Sequence, residues 1–263
     1  EALELSDGWV QNVDYDMNYY LAAAYRKSGQ PAEAKKVYDA ILGLKPEEKD
    51  AYFLRGSAEL ELGDYESAKA DFDKAISMDP KNYDRLIEIY EALADYGYRE
   101  VGQEYLQNVL NTEKKLDAYD SGRIYYYLGD YQKAYLALEE AKGKGGVDSY
   151  LYLGKAYAAT GDYNYASSVY SNYLSKQGPD AEIYNQLGLC EMAKKDYQKA
   201  LEAFQAGKQI EGNSLMQTLS FNEIVAYEYL QDYQKAAVLL KAYLQNYPDD
   251  QAAIREQQFL STR

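Results

Sequence analysis

The chain has 263 residues, 47% of them hydrophobic and 27% charged, enough apolar material to fold around a core and unlike the composition of a disordered segment. Its formal charge is -15, from 28 basic and 43 acidic residues. That balance argues against a surface that neutralises many phosphates or docks on anionic lipid, so no nucleic acid or membrane partner is expected. Histidine is absent and cysteine occurs once, which removes the Ser-His and Cys-His nucleophile pairs, the common zinc-ligand sets and any intrachain disulfide.

Residues 1–14, which hold the only tryptophan, Trp9, precede the first periodic segment and read as an N-terminal cap or the stub of a tether. The chain opens on Glu1 rather than Met, as it would after removal of a leader or lipid anchor, and both cytoplasmic and extracytoplasmic compartments stay open. No apolar run approaches the ~18 residues of a spanning helix, so no membrane insertion is expected of this sequence.

From residue 15 to 248 one phrase recurs. Gly-Asp-Tyr-x-x-Ala stands at Gly63 to Ala68, Gly129 to Ala134 and Gly161 to Ala166; variants end at Ala34, Gly102, Ala200 and Ala236. The seven copies are spaced 34, 34, 32, 32, 34 and 36 residues apart, with units starting near 15, 49, 83, 115, 147, 181 and 217. Helical apolar spacing precedes each phrase, as at Tyr52, Gly56 and Leu60, and follows it, as at Phe72, Ala75 and Ile76. Each unit therefore predicts helix, turn, helix. The glycine suits a left-handed residue ending the first helix, and Asp64, Asp130, Asp162, Asp196 and Asp232 suit the N-cap of the second. The two short spacings bracket 111–115 and 142–147, the expected loosest joints. Residues 249–263 read as a C-terminal capping helix, with Ala252, Ala253, Ile254 and Phe259 available to face the last unit.

A helical hairpin of this length, with small residues at fixed offsets, resembles the tetratricopeptide repeat. The resemblance implies an all-α, right-handed α-α superhelix of about seven hairpins, each burying its apolar face on its neighbours. It also implies closest helix contact at Ala22/Ala34, Gly56/Ala68, Gly122/Ala134, Gly154/Ala166 and Gly188/Ala200. The third unit departs with Tyr90 opposite Gly102, a large residue matched to the smallest. The seventh sets Ile224 against Ala236 without such relief, and its hairpin is expected to splay or shift slightly.

By the same resemblance a concave groove is lined by Tyr19, Tyr20, Phe53, Tyr119, Tyr126, Tyr127, Tyr152, Phe221 and Tyr229, and amphipathic rings suit an interface. Arg123 and Lys155 hold matching places in consecutive units. They are candidates to grip a carboxylate or acidic stretch of an extended peptide; the competing reading pairs them with Asp120 and Asp148. Asp84, Glu88, Glu91 and Asp95 form an acidic run that reads as a solvated helix face or a patch for a basic segment. Cys190 sits where other units carry alanine and reads as a small core residue. Certain family members clamp chaperone C-termini with lysines, asparagines and an arginine, but the first unit has Tyr19 and Ala23 at two of those places, which disfavours that role. The expected function is a noncatalytic scaffold for a protein or peptide partner, monomeric, without cofactor or metal. Carbohydrate binding through tyrosines and a carboxylate-based hydrolase are the alternatives.

Overall fold

A computed structural model describes residues 12–262 of the chain. The described residues form helices and the turns that join them, and they divide after Lys115 into two compact units. The cap or tether expected at residues 1–14 falls outside the described residues, apart from 12–14, which open the first helix.

The first unit holds three hairpins, α1 (Asn12–Lys27) with α2 (Pro31–Leu44), α3 (Lys49–Glu61) with α4 (Tyr65–Met78), and α5 (Tyr83–Asp95) with α6 (Arg99–Thr112). The second holds four, α7 (Ala118–Tyr127) with α8 (Tyr131–Glu140), α9 (Gly146–Ala159) with α10 (Tyr163–Gln177), α11 (Ala181–Ala193) with α12 (Tyr197–Lys208), and α13 (Met216–Tyr229) with α14 (Tyr233–Asn246). The last helix, α15 (Gln251–Leu260), follows them. Within each unit consecutive helices pack on one another, and the first helices of neighbouring hairpins touch, α3 with α5, α7 with α9 and α9 with α11.

The turn between paired helices is built as its residues dictate. Gly63, Gly129 and Gly161 have φ of 78°, 80° and 83°, the left-handed region that closes a helix. The next residue then serves both helices. The backbone N–H of Asp64 donates to Glu59 O at 2.9 Å, ending α3, while its side chain accepts from Ser67 N at 3.2 Å, opening α4. Asp130, Asp162, Asp196 and Asp232 repeat the arrangement, accepting from Lys133, Tyr165, Lys199 and Lys235. Each such cap stabilises its helix by roughly 1 kcal/mol.

Two turns have no glycine. Lys195 and Gln231 hold φ of 64° and 63°, a conformation that costs an L side chain roughly 1–2 kcal/mol, partly offset by the flexibility glycine would add to the unfolded chain. Lys195→Gly and Gln231→Gly should each raise stability by about 0.5–1 kcal/mol, read as a higher urea midpoint. A lower midpoint in both would refute the assignment of strain to these turns.

Inside each hairpin the small residues admit a large partner four residues beyond the second of them. A Cβ on Gly56, Gly122, Gly154 or Gly188 would come within 2.3–2.8 Å of Phe72, Leu138, Tyr170 or Phe204 respectively. Those four side chains are completely buried, each stabilising the fold by roughly 1.5–3 kcal/mol through apolar burial. The reversed pair behaves as its volumes predict: Tyr90 is buried, and a Cβ on Gly102 would lie 2.9 Å from its ring. Ile224, Ala236 and Leu240 share one buried cluster. Cys190 is buried, and desolvation pushes its thiol up to about 12, so it is a neutral core side chain.

The tyrosines after the turn do more than pack their own hairpin. Tyr65 stacks on Tyr98 at 4.1 Å and Tyr197 on Tyr229 at 4.9 Å, joining consecutive hairpins. The glycine-rich joint after α8 is tied by Ser149, completely buried, whose hydroxyl accepts from Gly143 N and donates to Gly146 O. On α15 the anchors are Ala253 and Leu260. Ala252 and Phe259, one position before each anchor, fall on the adjacent face and are exposed, although the Phe259 ring still meets Tyr233 of the last hairpin at 6.5 Å.

Candidate partner-binding face

In the second unit α7 and α9 lie side by side and bring together six of the predicted residues. Tyr126, Tyr127 and Tyr152 form a half-buried cluster with ring centroids 5.4, 5.6 and 5.9 Å apart in edge-to-face geometry. The hydroxyls of Tyr127 and Tyr152 are 3.0 Å apart, and Tyr131 supports the ring of Tyr126 at 5.7 Å. Such pairs contribute about 0.5–1.5 kcal/mol each beyond area burial and hold the rings in fixed orientations.

The two cations of this face have different surroundings. Arg123 is 7% exposed, donates to Asp120 Oδ1 at 2.5 Å and lies over the Tyr119 ring at 4.3 Å. Tyr119 also packs against Gly145, where a Cβ would fall 2.4 Å from the ring. Arg123 thus has the Asp120 pairing foreseen as the alternative to ligand binding. Lys155 meets Glu182 of α11 at 3.6 Å rather than Asp148, and the two side chains stay 33% and 30% exposed. At that separation and exposure the pair contributes at most about 1 kcal/mol.

The amides of the next hairpins continue the polar surface. Gln186 donates to Glu182 at 2.8 Å, and Asn222 donates to the buried Asn185 at 2.9 Å, linking α13 to α11. These residues were legible in principle: Asn185 occupies the repeat place that elsewhere holds Tyr119 and Phe221, and Gln186 and Asn222 the place that elsewhere holds Tyr152. A search for rings and cations passes over them.

The remaining predicted residues sit apart from this cluster. Phe221 packs on Tyr243 at 5.7 Å within the core of the last hairpin. Tyr229, 56% exposed, stacks on Tyr197 and borders a cavity beside α15. In the first unit Tyr19 and the exposed Tyr20 line a cavity of about 550 Å³ with Tyr38, Leu54 and the Arg26–Glu61 ion pair. The Tyr19 hydroxyl is buried without a hydrogen-bond partner, and desolvation with Glu48 and Asp50 raises its pKa. Phe53 lies under the Arg85 guanidinium at 4.0 Å, and Arg85 pairs with Asp50 and Glu88. Asp84, Glu88, Glu91 and Asp95 are all exposed. Among the described residues no group of three or more acidic or cysteine side chains is placed to hold a metal, and no helix is long and apolar enough to cross a membrane.

Comparison with known proteins agrees with the fold. Yeast Tom70 superimposes with a TM-score of 0.63 at 16% identity, covering 92% of this chain and 55% of that one. A tetratricopeptide repeat protein from Parabacteroides merdae superimposes with a TM-score of 0.55 at 15% identity, over 82% and 86% of the two chains. At these identities the likeness is one of fold. The FK506-binding protein-like protein of Mus musculus is 42% identical over 62 residues, 24% of this chain but 18% of that protein's length. Models of the tetratricopeptide repeat match residues 19–83, 151–214 and 221–250, more than half of the sequence. This chain belongs to the tetratricopeptide repeat family, whose fold is that of a protein-interaction scaffold.

Proposed function

We propose that the protein is a noncatalytic scaffold that holds an extended polypeptide segment of a partner against the face formed by α7, α9 and α11. The observation that carries this reading is the fixed, half-buried tyrosine cluster of Tyr126, Tyr127 and Tyr152 beside the weak Lys155–Glu182 pair. Preoriented rings offer contact area at low entropic cost, and a loose surface pair can exchange its carboxylate for one from the partner. Lys155 makes the charge contact, and Arg123 supports the face by fixing Tyr119. An acidic or carboxylate-bearing segment fits the Lys155 end. The amides of Gln186 and Asn222 supply adaptable hydrogen bonds farther along.

The test is retention of partners from extracts of the source cells by the immobilised chain, compared with a Tyr126→Ala, Tyr127→Ala, Lys155→Glu variant that keeps the parent's circular dichroism. Arg123 is left intact because its burial would confound binding with unfolding. A partner retained at least 10-fold less by the variant supports the assignment. Equal retention by both proteins moves binding to another surface, and retention by neither removes the peptide reading of this face.

A further inference from the structure

The cap of the second unit carries an arrangement that partner binding does not explain. Glu228, in the last turn of α13, and Glu256, on α15, both line a cavity of about 440 Å³ together with Tyr229, Tyr233 and Phe259. Tyr233 of α14 and Phe259 of α15 meet edge to face at 6.5 Å, and Tyr197 of α12 backs Tyr229. Oε1 of Glu228 is buried without a hydrogen-bond partner. Glu256 is near enough to act on the Glu228 carboxyl, and a proton on one of the two would let it donate to the other, whereas two carboxylates have no donor.

Every feature of the site disfavours a second negative charge. The site is half-buried, Glu228 stands at the negative end of the α13 dipole, and Glu256 is the charged group that acts on it. The remaining titratable groups lining the cavity are Tyr229 and Tyr233, and no lysine or arginine lines it. Lys235 of α14 and Arg255 of α15 are exposed.

We propose that the Glu228–Glu256 pair makes α15 a proton-operated latch, docked on the last hairpin while the pair holds its shared proton and loosened when both carboxyls ionise. Loosening would uncover the apolar surface that Ala253 and Leu260 cover. Burial first, and Glu256 second, push Glu228 up to about 7. The docked cap therefore binds a proton more tightly than the undocked chain, whose carboxyls titrate near 4.3. By linkage, docking weakens as pH rises from that ordinary value through the raised one, and changes no further once both states are ionised.

Hydrogen exchange of the α15 amides in the full chain, corrected for the intrinsic pH dependence of exchange, reads this directly. One proton coupled to docking changes the opening equilibrium by at most 10-fold per pH unit, so between pH 5.5 and 7.5 opening of Ala253 to Leu260 should rise about 10-fold or more. Amides of α7 and α8 serve as the internal reference and should not follow. Glu228→Gln keeps a hydrogen-bonding group while removing the raised ionisation, so it should abolish the dependence and leave α15 protected at pH 7.5; Glu256→Gln removes only the second cause and should reduce the dependence. A parent cap whose protection does not change with pH, or variants that lose protection in parallel with the parent, would overturn the latch.

Discussion

Gly188→Val should destabilise the second unit by about 3 kcal/mol or more, the upper end of what overpacking a core costs. In a solvent-exposed helix, replacing glycine by a residue with a side chain is neutral or stabilising, because glycine pays roughly 1 kcal/mol of backbone entropy. Here the sign reverses. The first carbon added to Gly188 would lie 2.3, 2.6 and 2.7 Å from three atoms of the Phe204 ring, which is completely buried and cannot swing into solvent. Ala200 already brings α12 close to α11, so relief requires the helices to part. Gly188→Ala should cost about 1–3 kcal/mol for the same reason. Combining it with Phe204→Leu should cost less than the sum of the two single changes, because the smaller side chain vacates the contested volume. Denaturant unfolding followed by circular dichroism measures the four variants against the parent. A stabilised Gly188→Ala, or strict additivity, would show that the ring is not what the glycine accommodates. Gly154 against Tyr170, with a closest approach of 2.3 Å, provides an independent repeat of the experiment one hairpin earlier.

This packing explains why so much of the fold could be read from residues alone. Turn chemistry is local: a left-handed glycine followed by aspartate specifies the end of one helix and the start of the next, whatever surrounds them. The small-residue pairs are nearly local, separated by twelve positions in a unit whose period is fixed. What could not be read depends on which chemically similar residues a fold makes neighbours. Arg123 and Lys155 occupy the same register, yet Asp120 lies one turn away on the arginine's own helix while Glu182 reaches the lysine from the next hairpin. The first cation is buried and the second is half-exposed. Ala252, Ala253, Ile254 and Phe259 were equally available to face the last hairpin, and only docking selects the Ala253–Leu260 face, leaving the Phe259 ring against Tyr233 but 39% exposed. Glu228 and Glu256 are 28 positions apart with no motif around either, and only the docking of α15 gives them to each other.

Arg55→Ala should cost the first unit about 3–5 kcal/mol, the range for removing one partner of a buried ion pair. Arg55 donates through Nε and a terminal nitrogen to both oxygens of Asp71 at 2.6 and 2.8 Å, and through its other terminal nitrogen to Asp39 at 2.7 Å. It thereby ties α3 to α4 within the second hairpin and to α2 of the first. Asp71 is buried, and beside it Glu59 is buried too, paired with Lys35 at 3.4 Å and with its pKa raised first by desolvation and then by Asp71. Removing the guanidinium leaves three carboxyls facing one lysine. Glu59, already raised, loses a positive charge that lowers it and rises further above its unfolded value, so the variant takes up protons on folding and recovers stability as pH falls toward about 4. The deficit relative to the parent should accordingly be larger at pH 7 than at pH 4.5. Arg55→Met paired with Asp71→Leu should recover much of the loss at pH 7, because an apolar pair of similar volume imposes no desolvation penalty. Urea unfolding at the two pH values distinguishes the cases. A deficit that is equal at both pH values, with no recovery in the double variant, would mean that Arg55 does not act through its charge on these carboxyls.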